Sequence, residues 1–230
     1  MTAQSRPGRR RSSDDPDRTA RARIRDAAIE RFAADGVAAT NLKDIAADAG
    51  VSPPLVIHHF GSKEGLRIAC DEHIASVIKE QKLKGMTAGK GLDPFQAVRE
   101  AYEGTPIIRY LARTIADGSP HVDELIDEMI EDSLVYEAEG VKNGILKPAE
   151  NPREQAIVLI LWQLGALVLH EQVKRLLDID LLDDTADSAI KWARVNADIL
   201  SRGVITEEFY DRWRDLMKAA EQQRSEPRTD

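Results

Sequence analysis

The sequence predicts an all-α protein in which a small three-helix domain, containing a helix-turn-helix, is joined by a fourth helix to a larger helical domain. Apolar residues recur three and four positions apart along most of the 230-residue chain. Glycine, proline, serine, threonine and asparagine stand where these stretches begin and end, as they do at helix termini. No convincing run of residues alternates between polar and apolar in the manner of a strand.

The composition predicts a folded protein of the cytoplasm. Charged residues make up 31% of the chain and hydrophobic residues 42%, which favours a globular fold over disorder. Cys70 is the single cysteine, so no disulfide forms within the chain, and the arginine-rich N-terminus lacks the pattern of a secretion signal. The longest apolar stretch, residues 156–169, is interrupted by Gln163 and is shorter than the roughly 20 residues of a spanning helix. We therefore expect no membrane partner.

Positive charge is concentrated near the N-terminus, although the whole chain carries a net charge of −8. Residues 1–70 contain 12 basic and 9 acidic side chains, whereas residues 71–230 contain 20 and 31. A basic first domain on an acidic remainder is compatible with a nucleic-acid partner.

Composition and periodicity divide the chain into four segments. Residues 1–17 lack apolar periodicity, carry four arginines among serine, proline and aspartate, and are expected to form a disordered basic arm. Residues 18–70 form the first domain, residues 71–222 form the second, and residues 223–230 are a flexible tail.

The first two helices of the first domain have clear ends. Ile24, Ala28 and Phe32 give the first helix one apolar face from residue 18 until Gly36, which predicts its end. Thr40 is predicted to cap the second helix, which ends near residue 50 after about two turns.

The third helix is predicted to begin at Ser52, because Pro53 and Pro54 fit the first turn, where missing amide donors cost little. It ends near His59. Together with the preceding helix and the short glycine turn at residues 49–51, it forms a helix-turn-helix. In this motif the second helix enters a DNA major groove while the first crosses the backbone.

Beyond the first domain the pattern predicts only helices. A fourth helix, capped by Ser62, runs toward Leu83, and the glycine-rich residues 85–91 are predicted to form a loop. Carboxylates between residues 117 and 139 are interpreted as a solvated helix face. The remaining helices are expected near residues 94–103, 106–117, 120–139, 152–177, 184–202 and 205–222.

The pattern D-I-A-x-x-A-G-V-S-P, followed by H-F-x-S-K-E-x-L, resembles the DNA-binding domain of tetracycline-repressor (TetR) family regulators. The resemblance is close over residues 23–71, and the remainder is similar to the family in its helical architecture. It implies a homodimer, double-stranded operator DNA as partner, and a small-molecule effector of unknown identity in the second domain. The implied function is a transcriptional repressor that the effector releases from its operator.

The same resemblance assigns the DNA contacts. Lys43 is expected to contact a base edge, and Thr40 and Asn41 are expected to contact phosphate. His58, His59 and Lys63 would contact the backbone. The residues expected to face base edges are Pro53, Pro54, Leu55 and Ile57. A packing role for His59 and a solvated position for Lys63 stay open as alternatives. Ile57 departs from the family, which usually has tyrosine there, and an apolar face can contact thymine methyls but cannot form bidentate hydrogen bonds. The expected set is Thr40, Asn41, Lys43, Ser52, Pro53, Pro54, Leu55, Ile57, His58, His59 and Lys63.

The second domain is predicted to bind both a second copy and an effector. Residues 156–169 are apolar on more than one side, so the helix over 152–177 needs two partner surfaces, and with the helix over 184–202 it is expected to form the homodimer interface. Effector pockets are mostly apolar with a few polar groups. The candidate effector-contacting residues are Tyr102, Met129, Tyr136, Trp162, Gln163 and His170.

The sequence gives no sign of catalysis. The stretch GMTAGKG lacks the spacing of a phosphate-binding loop, and the five histidines lack metal-ligand spacing. We expect no cofactor, no metal and no catalytic residue. Two alternatives stay open: a transcriptional activator, or an all-helical enzyme or small-molecule carrier whose first domain docks a protein.

Overall fold

The computed structural model describes residues 20–91, 93, 106–118, 121–183 and 185–225. These residues form ten α-helices, a single 3₁₀ turn at Gly89–Gly91 and no strand, which confirms the predicted all-α class. The predicted arm over 1–17, the predicted helix over 94–103 and the candidate residue Tyr102 lie outside them. The helices are α1 (Ala20–Ala39), α2 (Leu42–Asp48), α3 (Pro53–Phe60), α4 (Lys63–Ala88), α5 (Ile107–Ala116), α6 (Val122–Lys142), α7 (Pro152–Val168), α8 (His170–Leu177), α9 (Ala186–Arg202) and α10 (Glu207–Ser225).

The chain divides into two compact units. The first extends to Ser188 and contains α1 to α8, and the second begins at Ala189 and contains most of α9 together with α10. We call α1 to α3 the head, and we call α4 to α8 the body.

The core of the head lies between α1 and the three helices that follow it. Ile24, Phe32, Ile45 and Val56 are all buried there. Cys70 on α4 is also buried, with its Sγ 3.7 Å from the carbonyl oxygen of Arg25, and burial raises the pKa of its thiol. Helix α4 therefore supports the head as well as continuing into the body.

The predicted end of the first helix at Gly36 is a kink. Gly36 has φ 80° and ψ 160°, outside helical geometry, and three further residues continue the helix to Ala39. The hydroxyl of Thr40 donates to the Gly36 carbonyl over 2.8 Å and holds this last turn in place. Glycine stops the helix locally, as predicted, but the chain resumes it.

The prediction of a loop over residues 85–91 is wrong for its first half, because α4 continues to Ala88. The amide of Asn143 donates to the Met86 carbonyl over 3.1 Å, and a Cβ on Gly140 would lie 2.7 Å from the Met86 sulfur. The last turn of α4 thus packs closely against the end of α6. This contact offsets the low helix propensity of glycine, about 1 kcal/mol per residue.

The predicted helix over 152–177 is two helices, α7 and α8, bent by 79°. Leu169 leaves helical geometry at φ −97° and ψ 23°. Helix α8 has no buried residue, so no packing surface holds it in line with α7. No single helix among the described residues is long and apolar enough to cross a bilayer, and α7 with α8 reaches that composition only as this bent pair.

Two smaller differences between the sequence prediction and the structure concern α6 and α10. Glu137 on α6 is buried, so the prediction that the carboxylates of this region form a solvated face is wrong there. It lies on the same helical face as Met129 and Ser133, and Gln155 donates to it over 3.5 Å. Burial raises its pKa. Helix α10 extends to Ser225, so the first three residues of the predicted tail are helical.

Candidate nucleic-acid interface

Helix α2 is capped by Asn41, not by Thr40 as predicted. The Asn41 side-chain oxygen accepts hydrogen bonds from the backbone amides of Lys43, at 2.9 Å, and Asp44, at 3.0 Å. Thr40 is only 5% exposed, and its hydroxyl bonds to the Gly36 carbonyl. Both residue types are good caps, and the sequence alone does not separate neighbours. The buried Thr40 side chain is therefore not available at the surface for a phosphate.

A forked ion pair fixes α2 against α1. Arg31 donates to Asp48 through Nε, at 2.5 Å, and through Nη2, at 3.1 Å. The bonds to Asp48 raise the pKa of Arg31. Two parallel bonds of this kind restrict orientation as well as distance. Lys43 is exposed on α2, the helix that the ion pair between Arg31 and Asp48 fixes against α1.

Helix α3 is anchored from inside and from its C-terminal end. Val56 is buried, and Phe60 is half-buried. The Arg21 guanidinium lies over the Phe60 ring at 4.8 Å, and its Nη1 donates to the His59 carbonyl at 3.4 Å. Gly50, in the turn before α3, has φ 65°, which lets the two helices cross within three residues.

The outward face of α3 contains most of the predicted base-contacting residues. Ile57 is 45% exposed, and Leu55 and His59 are half-buried. Ser52 occupies the N-cap position as predicted, but its side chain makes no capping bond. The exposed members of the set are Asn41, Lys43, Ser52, Pro53, Pro54, Ile57 and His58.

Lys63 is bonded to the head. Its Nζ donates to the carbonyl oxygen of Ala38 over 3.3 Å, and the side chain is half-buried. This bond is exposed to solvent, so the backbone contact and the solvated position of Lys63 both stay predictions. Since an ammonium group has three donors, this bond leaves two for another acceptor.

The turn from α3 to α4 requires glycine at residue 65. A Cβ there would lie 2.1 Å from the Phe60 carbonyl oxygen, much closer than van der Waals contact. The Ser62 hydroxyl accepts a bond from the Gly65 amide at 2.9 Å and caps α4 as predicted. The backbone of α3 thus approaches the first turn of α4 directly.

A buried polar network joins α4 to α5. Arg67 is 2% exposed and donates to Asp71 at 2.7 Å and to Glu64 at 2.9 Å. The Tyr110 hydroxyl donates to the other Asp71 oxygen at 2.6 Å. Burial raises the pKa of Asp71, against the bonds from Tyr110 and Arg67, which act to lower it. Sequence reasoning missed this network, and its one local signal is the spacing of arginine and aspartate by four residues on α4.

A cavity of 470 Å³ lies where the end of α1 faces the start of α4 and the end of α5. Gly36, Arg67, Arg113 and Asp117 are among the residues that line it. Arg113 on α5 donates to the Asp35 carbonyl at 3.5 Å, and a Cβ on Gly36 would lie 2.9 Å from its guanidinium. Helix α5 therefore contacts the head at the point where α1 is kinked.

The candidate effector-contacting residues do not share one surface. Met129 and Tyr136 are buried on the inner face of α6, and burial raises the pKa of Tyr136 to about 12. Trp162 and Gln163 are exposed on α7, and His170 is half-buried at the start of α8. Within the described ranges, no group of three or more histidine, cysteine or acidic side chains could hold a metal ion.

Two family models match the chain. Residues 24–70 match the model for bacterial regulatory proteins of the tetR family. Residues 100–206 match the model for the tetracyclin repressor-like C-terminal domain. The first match covers the head and the start of α4, and the second ends just before α10.

The chain is also similar to characterised regulators. It is 40% identical over 157 residues to the HTH-type transcriptional regulatory protein RaaS of Mycobacterium tuberculosis, an overlap that covers 68% of this chain and 74% of RaaS. It is 38% identical over 63 residues to the HTH-type transcriptional regulator BetI of Rhizobium meliloti, which covers 27% of this chain and 31% of BetI.

Solved structures share the fold. SmeT, the repressor of the Stenotrophomonas maltophilia multidrug efflux pump SmeDEF, superimposes with a TM-score of 0.52 at 21% identity, covering 83% of this chain and 94% of SmeT. A TetR-family transcriptional regulator from Pectobacterium atrosepticum gives 0.51 at 20% identity, with coverages of 81% and 94%. At these identities the likeness concerns architecture alone.

Proposed function

The chain belongs to the TetR family of DNA-binding transcriptional regulators, and from this premise we propose that it is a homodimeric repressor released from its operator by a small molecule. The observation that carries the proposal is the outward face of α3, which is exposed while its opposite face is fixed by Val56 and Arg21. A rigid helix with a free face is what major-groove binding requires. A regulator of this kind acts on DNA in the cytoplasm.

The exposed residues of α2 and α3 have distinct proposed roles. Lys43 contacts a base edge, and Asn41 contacts phosphate with its side-chain amide. Pro53, Pro54 and Ile57 give the recognition helix an apolar surface that fits thymine methyl groups. Sequence preference therefore depends on Lys43 and on the shape of the DNA. Ser52, Leu55, His58, His59 and Lys63 complete the contact surface along the backbone and groove.

The homodimer forms through α7 together with α9. Helix α7 exposes Val158 and Leu161 at 60% and 52%, together with Trp162, although apolar side chains of this size are normally buried. Helix α9 exposes Leu200. A second copy would cover both faces, and the dimer would present two heads to two operator half-sites.

The effector binds the body beside the inner face of α6. Met129 and Tyr136 provide apolar contact, and Ser133 and Glu137 are buried polar groups on the same face. An effector alters DNA binding only if it favours one arrangement of the two heads over another. The contacts of α5 with both α4 and the kinked end of α1 provide the path by which the body moves the head.

Operator binding is tested by titrating the purified protein on the DNA upstream of its own gene. We expect a specific complex that resists competition by unrelated DNA. Specific recognition would be overturned if the protein bound several segments of this upstream DNA no more tightly than it bound unrelated DNA. In transcription reactions on the bound promoter, added protein should lower transcript yield, and a rise would identify an activator instead.

The dimer is tested by sedimentation of Leu161→Glu beside Lys147→Glu, which changes an exposed lysine before α7. We expect Leu161→Glu to dissociate into monomers and lose operator affinity, because a charge in an apolar interface stays unpaired. Lys147→Glu should remain a dimer. A wild-type monomer at micromolar concentration would overturn the proposed assembly.

A further inference from the structure

Helix α10 has an apolar stripe on its surface that the described residues leave exposed. Phe209, Trp213 and Leu216 follow one another at intervals of four and three residues, and Tyr210 and Met217 widen the stripe. All five side chains are between 38% and 64% exposed. In proteins most of the stability of a helix comes from the packing of an amphipathic face of this kind. The stripe therefore requires a partner.

The rest of α10 is adapted to solvent. Arg212 pairs with Glu208 at 3.5 Å, and Arg214 pairs with Asp211 at 2.9 Å, both along the helix surface. These ion pairs flank the stripe or lie opposite it. At the edge of the stripe the Arg214 guanidinium also lies over the Tyr210 ring, 5.7 Å from its centre. The helix is thus divided into one solvated side and one side for contact.

The spacing and charge of α10 favour another α-helix as its partner. Intervals of four and three residues place side chains on the seam along which two helices pack at a shallow angle. The helix contains five acidic and four basic residues. A basic face would be needed to attract DNA or an anionic membrane, and this balance does not provide one.

We propose that the partner is the same helix of a second copy, so that the stripes of two α10 helices pack against each other across the molecular two-fold axis. The five side chains together expose about 500 Å² per copy, or about 1,000 Å² for two, which is the area at which specific interfaces begin. A stripe of this kind is self-complementary in a symmetric dimer.

This inference rests on the proposed homodimer and adds a second contact to it. The matched C-terminal family model ends at residue 206, and α10 begins at Glu207. The added contact is therefore outside the segment that the model shares with this chain. It stabilises the dimer formed through α7 and α9 without contributing to operator recognition.

The first test compares two double variants of the full chain by analytical ultracentrifugation at nanomolar to micromolar concentrations. Trp213→Lys with Leu216→Lys places two charges in the stripe, and Asp211→Lys with Asp215→Lys places two on the opposite side. We expect the dimer dissociation constant of the first variant to rise by about tenfold or more, because each buried side chain contributes about 1.5–3 kcal/mol. The second variant should stay within about twofold of wild type.

The second test measures the distance between the two helices directly. Cys70 is buried, so a spin label attached through Arg212→Cys marks one position in each copy of the native protein. If α10 packs on α10 of the second copy, the two helix axes lie about 8–10 Å apart. The distance between the two labels, measured by pulsed electron paramagnetic resonance, should then be within about 40 Å. A longer distance would overturn the proposal.

The outcomes also separate this inference from the proposed dimer. A wild-type monomer would overturn both. A wild-type dimer whose two double variants dissociate equally would overturn only the α10 contact. Binding of the wild-type chain to vesicles of anionic phospholipid, lost in the variant with lysines at 213 and 216, would assign the stripe to a membrane and overturn the helix pair.

Discussion

The hydroxyl of Tyr110 on α5 donates to the Asp71 carboxylate on α4 over 2.6 Å. Arg67, one turn before Asp71, donates to the other carboxylate oxygen at 2.7 Å. Each oxygen of this buried carboxylate therefore has a charged or hydroxyl donor. Because one donor belongs to α5 and the other to α4, the helix that supports the head, these hydrogen bonds connect α5 directly to α4.

Tyr110→Phe is expected to destabilise the fold by about 1–3 kcal/mol, because it leaves one buried Asp71 oxygen without a donor. Urea unfolding measures the change. Ser76→Ala on α4 is the control, since it removes an exposed hydroxyl, and its effect should stay within about 0.5 kcal/mol. Equal effects of the two substitutions would contradict a stabilising role for the Tyr110 bond.

Asp71→Asn is expected to change how stability depends on pH. Because burial raises the pKa of Asp71, its protonated form is favoured in the folded state. Its contribution is fully present below the unfolded value of about 3.9 and is lost as the pH rises through the higher folded value. Asparagine keeps the neutral form at every pH. The free energy of unfolding of wild type, relative to this variant, should therefore fall as the pH rises above about 4.

Urea titrations of both proteins between acidic and neutral pH measure this difference. Glu64 has its pKa lowered, chiefly by its bond from Arg67, and contributes the opposite slope in both proteins. A difference that grows with pH would show that the bonds from Arg67 and Tyr110 outweigh burial at Asp71.

Gly65→Ala is expected to destabilise the protein more than Gly91→Ala. At Gly65 the new Cβ would lie 2.1 Å from a backbone oxygen, so the turn must shift, at a cost of about 1–3 kcal/mol or more. At Gly91 nothing lies within 4 Å of the new Cβ and φ is not positive, so the substitution should change stability by no more than about 0.5 kcal/mol. Thermal unfolding ranks the two, and the reverse order would contradict the close approach.

Lys43→Ala and Lys63→Ala should weaken operator binding in different ways. Lys43→Ala is expected to cost about 1–3 kcal/mol on the operator and to relax its sequence preference, because a base contact is lost. Lys63→Ala should weaken all DNAs alike and reduce the salt slope by roughly one counterion. It should also lower the stability of the head, since its bond to Ala38 is removed.

Titrations of both variants on operator and scrambled DNA, at several salt concentrations, measure these differences. Equal loss on both DNAs for Lys43→Ala would refute its base contact. If Lys63→Ala lost stability but kept its DNA affinity and salt slope, its role would be limited to the bond with Ala38.

The head could be predicted closely because its signals are local. Gly50 and Pro53 stand at the ends of short helices and determine the local backbone by their own covalent structure. Ser62 caps α4 through its hydroxyl, which accepts a bond from the Gly65 amide. The cap of α2 was misplaced by one residue, since Thr40 and Asn41 are adjacent and both suit the position. What decides between them is the Gly36 carbonyl, four residues away, which takes the Thr40 hydroxyl.

The body was less predictable because its features depend on distant contacts. The bond between Tyr110 and Asp71 joins residues 39 positions apart. The extension of α4 through Met86 depends on Asn143 of α6. The bend at Leu169 has no proline to mark it and follows from the lack of packing around α8. Periodicity reports which residues are apolar, and it does not report which surface will cover them.

The buried thiol of Cys70 is a natural reporter of local opening between α1 and α4. Its sulfur lies between α4 and the Arg25 carbonyl of α1, and the thiolate needed for reaction is disfavoured there. A thiol reagent can modify it only during moments when α1 separates from α4. The rate at which the reagent labels Cys70 therefore measures how often α1 separates from α4. A ligand that stabilises the head should lower this rate, and a ligand that destabilises the head should raise it, with no engineered probe needed.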